Sequence, residues 1–367
     1  MGLVFYFIAI IVIARPAYAG LDVFVEGEIF TQYDDNITYA VNDKLKDIIT
    51  SVSLGLGMER KAKTNTLTVL TKVTEKLFNK NSSFTNTAQE LKVEYIRQLT
   101  KFDEVKVVDQ YTHAEEPLTF EDAFGRSTGL FNYFRNDFEF AYLKELSNKF
   151  SLKTDYGNEY YQASREDIND SLEHRINLEL DYAKSSATTF LLGYEFFDKK
   201  FESENDVLIH SIISGFRQFF TKQLYLETKG GVSLVDTFQG SDLTKPNILV
   251  SLVDDVSDRT KFKLNYQQDS FPSTDLEDVF ESWRISANLL QQLNERLSVE
   301  ASSFYGEGKF ITSKTQDTLI GLYSRLAYDI TKDIEAFMAY THSQNDSTDI
   351  AREYKKNIVS AGLNFHF

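Results

Sequence analysis

The 367-residue chain is 42% hydrophobic and 14% aromatic, holds 4 Pro and no Cys, and carries a net charge of -16. That content excludes a disordered chain, a disulfide framework, a thiolate metal site and a cysteine nucleophile. Its acidity argues against a nucleic-acid partner, because such binding rests on Lys and Arg neutralising phosphates.

The first segment, "MGLVFYFIAIIVIARPAYAG", has an apolar core from Leu3 to Ala14 followed by Ala17-Tyr18-Ala19. The core is about 12 residues, short of the roughly 20 that a spanning helix needs, and the small residues suit a signal peptidase. Residues 1–19 are therefore expected to be a signal peptide, and 20–367 a single domain. No Lys or Arg precedes the apolar run, a departure from the usual pattern that leaves open an upstream start or an uncleaved anchor.

From Gly20 onward the dominant period is two. Val23, Val25, Ile29 and Tyr33 alternate with Phe24, Glu26, Glu28, Phe30 and Gln32. Val52, Leu54, Leu56 and Met58 alternate with small residues, and Ile176, Leu178, Leu180 and Tyr182 with Arg175, Asn177, Glu179 and Asp181. One apolar and one polar face over about 10 residues is a strand pattern. Such runs fall near 21–34, 47–60, 66–78, 87–99, 104–113, 131–145, 150–161, 172–182, 188–197, 207–219, 224–235, 247–255, 260–268, 281–291, 296–305, 318–329, 334–343 and 355–367. The expectation is about 18 strands.

The connectors alternate in length. Short knots such as Ser147-Asn148-Lys149, Lys184-Ser185-Ser186 and Thr331-Lys332-Asp333 each hold one cation, and Lys149, Lys184, Lys222, Arg259, Arg296 and Lys332 recur about every 37 residues, a repeat-type period. Between them come longer polar loops, among them "NKNSSFTN", "QASREDINDS", "DKKFESEND", "FQGSDLTKP" and "GEGKFITSKTQD". The repeating unit is thus a hairpin with a short turn at one end and a long loop at the other. That predicts an all-β, antiparallel, up-and-down transmembrane barrel with short periplasmic turns and longer extracellular loops. A propeller would need about four strands per repeat. Lipid also demands closure, since an open edge would leave backbone groups unpaired. The last strand, "NIVSAGLNFHF", puts Val359, Ala361, Leu363, Phe365 and Phe367 on one face and ends on an aromatic residue. This is the pattern expected where barrel-assembly machinery reads the C-terminal Phe367; a strand that simply stops at the terminus is the alternative.

"FTQYDDNI", from Phe30 to Ile37, with the repeated hairpins and the terminal Phe367, resembles the β-barrel porin 2 family. Tyr33, Asp35 and Asn36 carry the sharpest part of that likeness, which spans the mature chain. The resemblance implies an outer-membrane channel, often associated with exopolysaccharide systems, and transfers no catalytic residue and no cofactor.

A barrel of 16–18 strands leaves an aqueous lumen. The inward set read from the alternation is Glu26, Glu28, Lys72, Lys92, Glu94, Glu139, Lys153, Asp155, Arg175, Glu179, Glu227, Lys229, Lys261, Lys263, Arg284 and Arg325, with Lys76, Asp137, Glu159 and Asp181 beside them. Acids and bases are nearly balanced, which suits small hydrophilic solutes or a saccharide held by hydrogen bonds; bracing of the inner wall is the alternative role. The expected function is an outer-membrane channel for hydrophilic solutes or saccharides, with export of an exopolysaccharide as its extension. A structural or adhesive barrel is the alternative. Lipopolysaccharide and the surrounding outer-membrane lipid are the expected partners.

Two loops carry helix-start grammar. "AEEPLTFEDAFGRSTGL" from Ala114 holds Thr119-x-x-Asp122, a Phe120/Phe124 pair and a Gly125 stop, and "SFPSTDLEDVFE" holds Thr274-x-x-Glu277. The first either folds into the lumen or covers the rim. Asp275, Glu277 and Asp278, like Asp34-Asp35-Asn36, offer oxygen ligands to a divalent cation; solvated acidic loops are the plainer reading, and no metal site is assigned. Catalysis is not expected. His342 and Ser343 are adjacent on a strand and must point to opposite faces, and no Walker loop, H-E-x-x-H pair or zinc spacing occurs.

Overall fold

The computed structural model describes residues 20–115, 124–125, 129–166, 168–202, 206–237, 243–257, 259–273 and 278–367. The proposed signal peptide lies outside them. The chain forms β1 (Leu21–Asp34), β2 (Asp47–Lys61), β3 (Asn65–Phe78), β4 (Asn86–Thr100), β5 (Asp103–Glu115) and β6 (Asn132–Glu145). It continues through β7 (Phe150–Ala163), β8 (Ser171–Ala183), β9 (Thr188–Phe201), β10 (Val207–Phe219), β11 (Leu224–Thr237) and β12 (Leu243–Ser257). The last six are β13 (Thr260–Pro272), β14 (Val279–Gln292), β15 (Leu297–Phe310), β16 (Gln316–Asp329), β17 (Ile334–Ser347) and β18 (Tyr354–His366). Each strand pairs antiparallel with its chain neighbours, and β1 pairs with β18, so the sheet closes with 18 strands.

Ile29 fixes the closure. It faces Val52 on β2 and Leu363 on β18, and all three side chains lie on one face. Partners across a ladder share a face, so the outward set can be followed round the barrel. It includes Val23, Val73, Leu91, Leu178, Leu192, Ile212, Leu322 and Met338, all well exposed. Exposed aliphatic groups of this extent are costly in water and favourable in lipid. The belt makes the barrel a membrane-spanning one.

The short connections run two to four residues and the long ones five to sixteen, segregated to opposite ends. The short turns share one piece of chemistry. Ser147, Ser185, Thr221, Ser257, Asn294 and Thr331 each turn a side-chain oxygen back to accept from the backbone N–H two residues on. This is the Asx/ST turn, and it explains the hairpin period better than the cations do. Among the described residues, the one recurrent cation that meets an acid of its own turn is Lys332, 3.9 Å from Asp333.

Most strands extend further at the long-loop end than alternation alone indicates. β9 runs to Phe201, β15 to Phe310 and β17 to Ser347, while β12 begins at Leu243 and passes through Pro246. A 14-residue strand tilted about 40° stands about 35 Å tall, whereas the lipid-facing band is about 25 Å. Above the band both faces meet water. The alternating signal fades there while the hydrogen-bond ladder continues.

Candidate functional site

The interior face carries the charge. The register puts every one of the predicted inward residues, from Glu26 on β1 to Arg325 on β16, on the face opposite the aliphatic belt. Their arrangement differs round the circumference.

On β7 to β11 they form a lattice. The Lys153 ammonium lies 2.7 Å from Glu179 and 2.8 Å from Asp181. Glu179 also accepts from Lys229 at 2.5 Å, and Glu227 sits 2.5 Å from Arg217. Higher up, Arg175 joins Asp137 at 3.0 Å and Glu173 at 3.2 Å. Lys199 lies 3.1 Å from Glu173 and 3.9 Å from Glu159. Asp155 accepts from Asn177 at 3.2 Å. Three of these contacts, Glu179–Lys229, Arg175–Asp137 and Lys199–Glu159, join strands two or more apart, so the ions form a network across the wall rather than separate cross-strand pairs. Isolated pairs stand elsewhere: Lys72 is 3.7 Å from Glu28, and Arg325 pairs with Glu335. Arg217, Lys199 and Glu173 belong to this lattice, and Lys106 stands apart with Glu94 at 3.2 Å, although alternation alone did not single them out; Lys199 stands above the apolar stretch, where that signal ends.

Toward the long loops, the interior of β14 to β16 is aromatic. Phe280, Phe304, Phe310 and Leu319 are almost fully buried and share a cluster with Tyr354 of β18. Gly306 and Gly308 make the room: a Cβ on Gly308 would come within 2.3 Å of the Phe280 ring. The sixth member of the cluster is Phe124, from the connection between β5 and β6. It meets Phe280 edge-on at 5.0 Å and Phe304 at 5.3 Å. Gly125 follows at φ +71, where a Cβ would strike the Phe280 ring, and its carbonyl accepts from the Ser273 hydroxyl. In an 18-stranded ring, β14 and β15 lie nine strands from β5 and β6. Phe124 is therefore docked on the opposite wall of the lumen from the strands that carry its loop.

The helix grammar read in this loop falls mostly on residues outside the described set, as do Thr274 to Glu277. Below Phe124, between β8–β9 and β13–β15, a space of about 450 Å³ is lined by Arg175, Lys199, Gln267, Asp269 and Arg284. Arg284 donates to Gln267 at 2.8 Å, and Gln267 in turn donates to Asp269 at 2.6 Å.

The acidic loop residues are used within the protein. Asp34 meets Lys356 at 2.9 Å, Asp35 accepts from Asn357, and Asn36 bonds Ala40 and the Lys355 carbonyl. Asp278 accepts from the Thr312 and Ser313 amides of the next long loop. Asp47 does the same for Lys80 and Asn81, and Asp317 grips Arg352 at 2.5 Å. An acid at the head of a descending strand thus clasps the following loop, so these oxygens hold loops together. Among the described residues, no group of three or more His, Asp or Glu side chains could hold a metal ion. His342 pairs with Leu322 on the outer face and Ser343 with Gly321 inside, so the two stand on opposite faces.

No family model matches the chain. No curated protein matches it either. Solved structures similar in fold include OccAB3 of Acinetobacter baumannii, 11% identical, with 95% of this chain and 100% of that one covered and a TM-score of 0.51. OpdK of Pseudomonas aeruginosa, solved with vanillate, is 9% identical over 94% and 98% of the two chains, with a TM-score of 0.51. The FrpB iron transporter of Neisseria meningitidis, F5-1 variant in its apoprotein form, is 8% identical over 95% and 82%, with a TM-score of 0.50. The likeness extends to the architecture, a closed barrel of the outer-membrane type.

Proposed function

We propose that this chain is a channel of the bacterial outer membrane that passes small hydrophilic solutes, saccharides among them. One observation carries the reading: the interior is lined largely by charged and carboxamide side chains, while Phe124, among the described residues, reaches in from a loop. A structural barrel has no need of a wet, ion-lined interior, and filling it with apolar side chains would be as stable or more so. Glu26, Glu28, Lys72, Lys92, Glu94, Glu139, Lys153, Asp155, Arg175, Glu179, Glu227, Lys229, Lys261, Lys263, Arg284 and Arg325 are the pore-lining set. Their near balance of sign favours neutral polar solutes.

The outward rings of Phe365 and Phe367, stacked at 6.4 Å at the short-turn end, support recognition of the last strand by barrel-assembly machinery. Lipopolysaccharide and the neighbouring lipid are the partners that the aliphatic belt suits. A link to exopolysaccharide export rests on the resemblance to the β-barrel porin 2 family alone. Swelling of proteoliposomes in sugars of increasing size tests the reading. Mono- and disaccharides should enter with the barrel present and not without it; a folded barrel that admits none leaves the structural or adhesive role.

A further inference from the structure

The ladder closes all round the barrel, but one seam stops short of the long-loop end. At every other seam at least one of the two strands is paired to within two residues of that end. β12 and β13 part early. Their last pair is Ile248 with Gln268, and above it Leu243 to Asn247 and Asp269 to Pro272 run on without meeting. The first run still pairs with β11 and the second with β14.

The side chains show where the parted ends go. Ile212 is outward, so Val207, Ile209 and Ser211 on the same strand are inward, as are their partners Val235 and Ser233. Lys245 faces Ser233 and is inward too. Arg284 is inward, so Val279 and Glu281, at odd spacing from it on β14, are outward. Yet the Lys245 ammonium lies 2.9 Å from the Glu281 carboxylate. Val279 and Ile311, whose amide donates to the Val279 carbonyl at 2.9 Å, pack with Phe201, Val207, Ile209 and Val235. An outer face thus lies on an inner one. In a round barrel β9 and β14, five places apart, would stand roughly 25 Å from each other. The long-loop ends of β13 to β15 have therefore left the wall and form a second layer inside β9 to β12.

The other side of this layer carries Phe280 and Phe310 and receives Phe124. The Ser273 hydroxyl donates to the Gly125 carbonyl beside it. Layer and loop together cross the mouth of the lumen. The bend leaves bonds unmade. The parted edges hold backbone groups with no ladder partner across the seam. The Ser270 hydroxyl, just above the last pair, is buried without a partner among the described residues. Pro246 lies in the parted run of β12, where an edge tolerates a residue that has no N–H to give.

We propose that the long-loop ends of β13 to β15 are a gate, hinged at Ile248 and Gln268, that opens by swinging back into the wall. There the β12–β13 ladder continues in its own register, with Pro246 against Ser270 and Thr244 against Pro272. The inward position keeps the apolar contacts of Val279 and Ile311, and the outward one gains ladder bonds in their place. Each position has contacts that the other lacks, the condition for a two-state element. Lys245 and Glu281 latch the inward one. The swing rests on the register; that it controls flow rests on the channel reading.

With no native cysteine, introduced pairs report the swing. The barrel with Thr244→Cys and Pro272→Cys would be purified reduced and then oxidised in detergent. A disulfide needs Cα atoms within about 7 Å, which this pair reaches with the ladder zipped. Lys245→Cys with Glu281→Cys, joined by a short reducible cross-linker, holds the inward position. Both links should form. A sheet layer takes about 10 Å of the mouth, so single-channel conductance should be about twofold or more higher in the outward-linked barrel than in the inward-linked one. Reduction should abolish the difference. Glu281→Gln, without cysteines, should lengthen the time spent in the larger-conductance state. Failure of the disulfide to form, or a conductance that its reduction leaves unchanged, would overturn the gate. Current at one level in every form sinks the gate alone, whereas no current in any form sinks the channel reading with it.

Discussion

The lumen has two unlike walls built from the same alternating strands. From β7 to β11 the inward positions are ions knitted across several strands, with Glu179 between Lys153 and Lys229. At the long-loop ends of β14 to β16 they are rings and glycines, and Phe124 from the far side seats among them. The first wall keeps its groups satisfied while leaving them in contact with water. The second offers a dry socket, the only kind of surface on which a phenyl ring gains by docking. One wall offers its charges to the aqueous interior, and the other holds Phe124 and Gly125 from the far side.

The sharpest way to break this contrast is to empty the socket. Phe124→Ala should remove about 3–5 kcal/mol of anchoring, the usual cost of truncating a buried aromatic, and single-channel conductance should rise toward that of a barrel with the segment deleted. An unchanged conductance would mean that the ring wall holds nothing that matters to flow. Next in size is the contrast between faces of one strand. Leu178→Arg puts a guanidinium into lipid at about 2–4 kcal/mol, whereas Asn177→Arg enters the ion lattice beside Asp155 and should cost far less. Urea unfolding midpoints in lipid vesicles measure both, and equal losses would mean that the register is slipped by one.

A smaller effect should come from Glu179→Gln, which leaves Lys153 and Lys229 short of an acid. Reversal potentials under a salt gradient should shift toward anions, while the same measurement on Gln267→Ala, between the walls, should hardly move. The smallest effects lie in the short turns, which are common to both walls. Ser147→Ala and Asn294→Ala should each cost about 0.5–1.5 kcal/mol through a lost local hydrogen bond. Lys149→Ala and Arg296→Ala should stay within about 0.5 kcal/mol, as for surface changes generally. Thermal unfolding that ranks the cations above the hydroxyl and the amide would reverse this account of the repeat.

Much of the barrel was legible because lipid imposes a strict code. Where one face must be apolar, as at Ile29, Val52 and Leu178, alternation marks strand and face together. The code ends where lipid ends, which is why Asp198 to Phe201 and Gly306 to Phe310 read as loop although they are strand. The ion-lined wall was legible for the same reason: its charges stand opposite aliphatic residues. The ring wall was not, because Phe280, Phe304 and Phe310 on inward positions look like irregularities until a distant segment is brought to them. Its one local signal is the run "FYGEGKF", where glycines alternate beneath large rings. That Phe124 would find this socket depends on a contact nine strands away, which no local pattern encodes. The turn cations marked the repeat without making it, because they share a period with the Ser, Thr and Asn that close the turns.

The most direct test is a pair of single-channel recordings in planar bilayers, on the intact barrel and on one lacking Leu118 to Gly125. The account predicts a steady current through the intact barrel, weakly selective and leaning toward cations, and a larger one after the deletion. Folded barrels that pass no current in either form, or the same current in both, would contradict it.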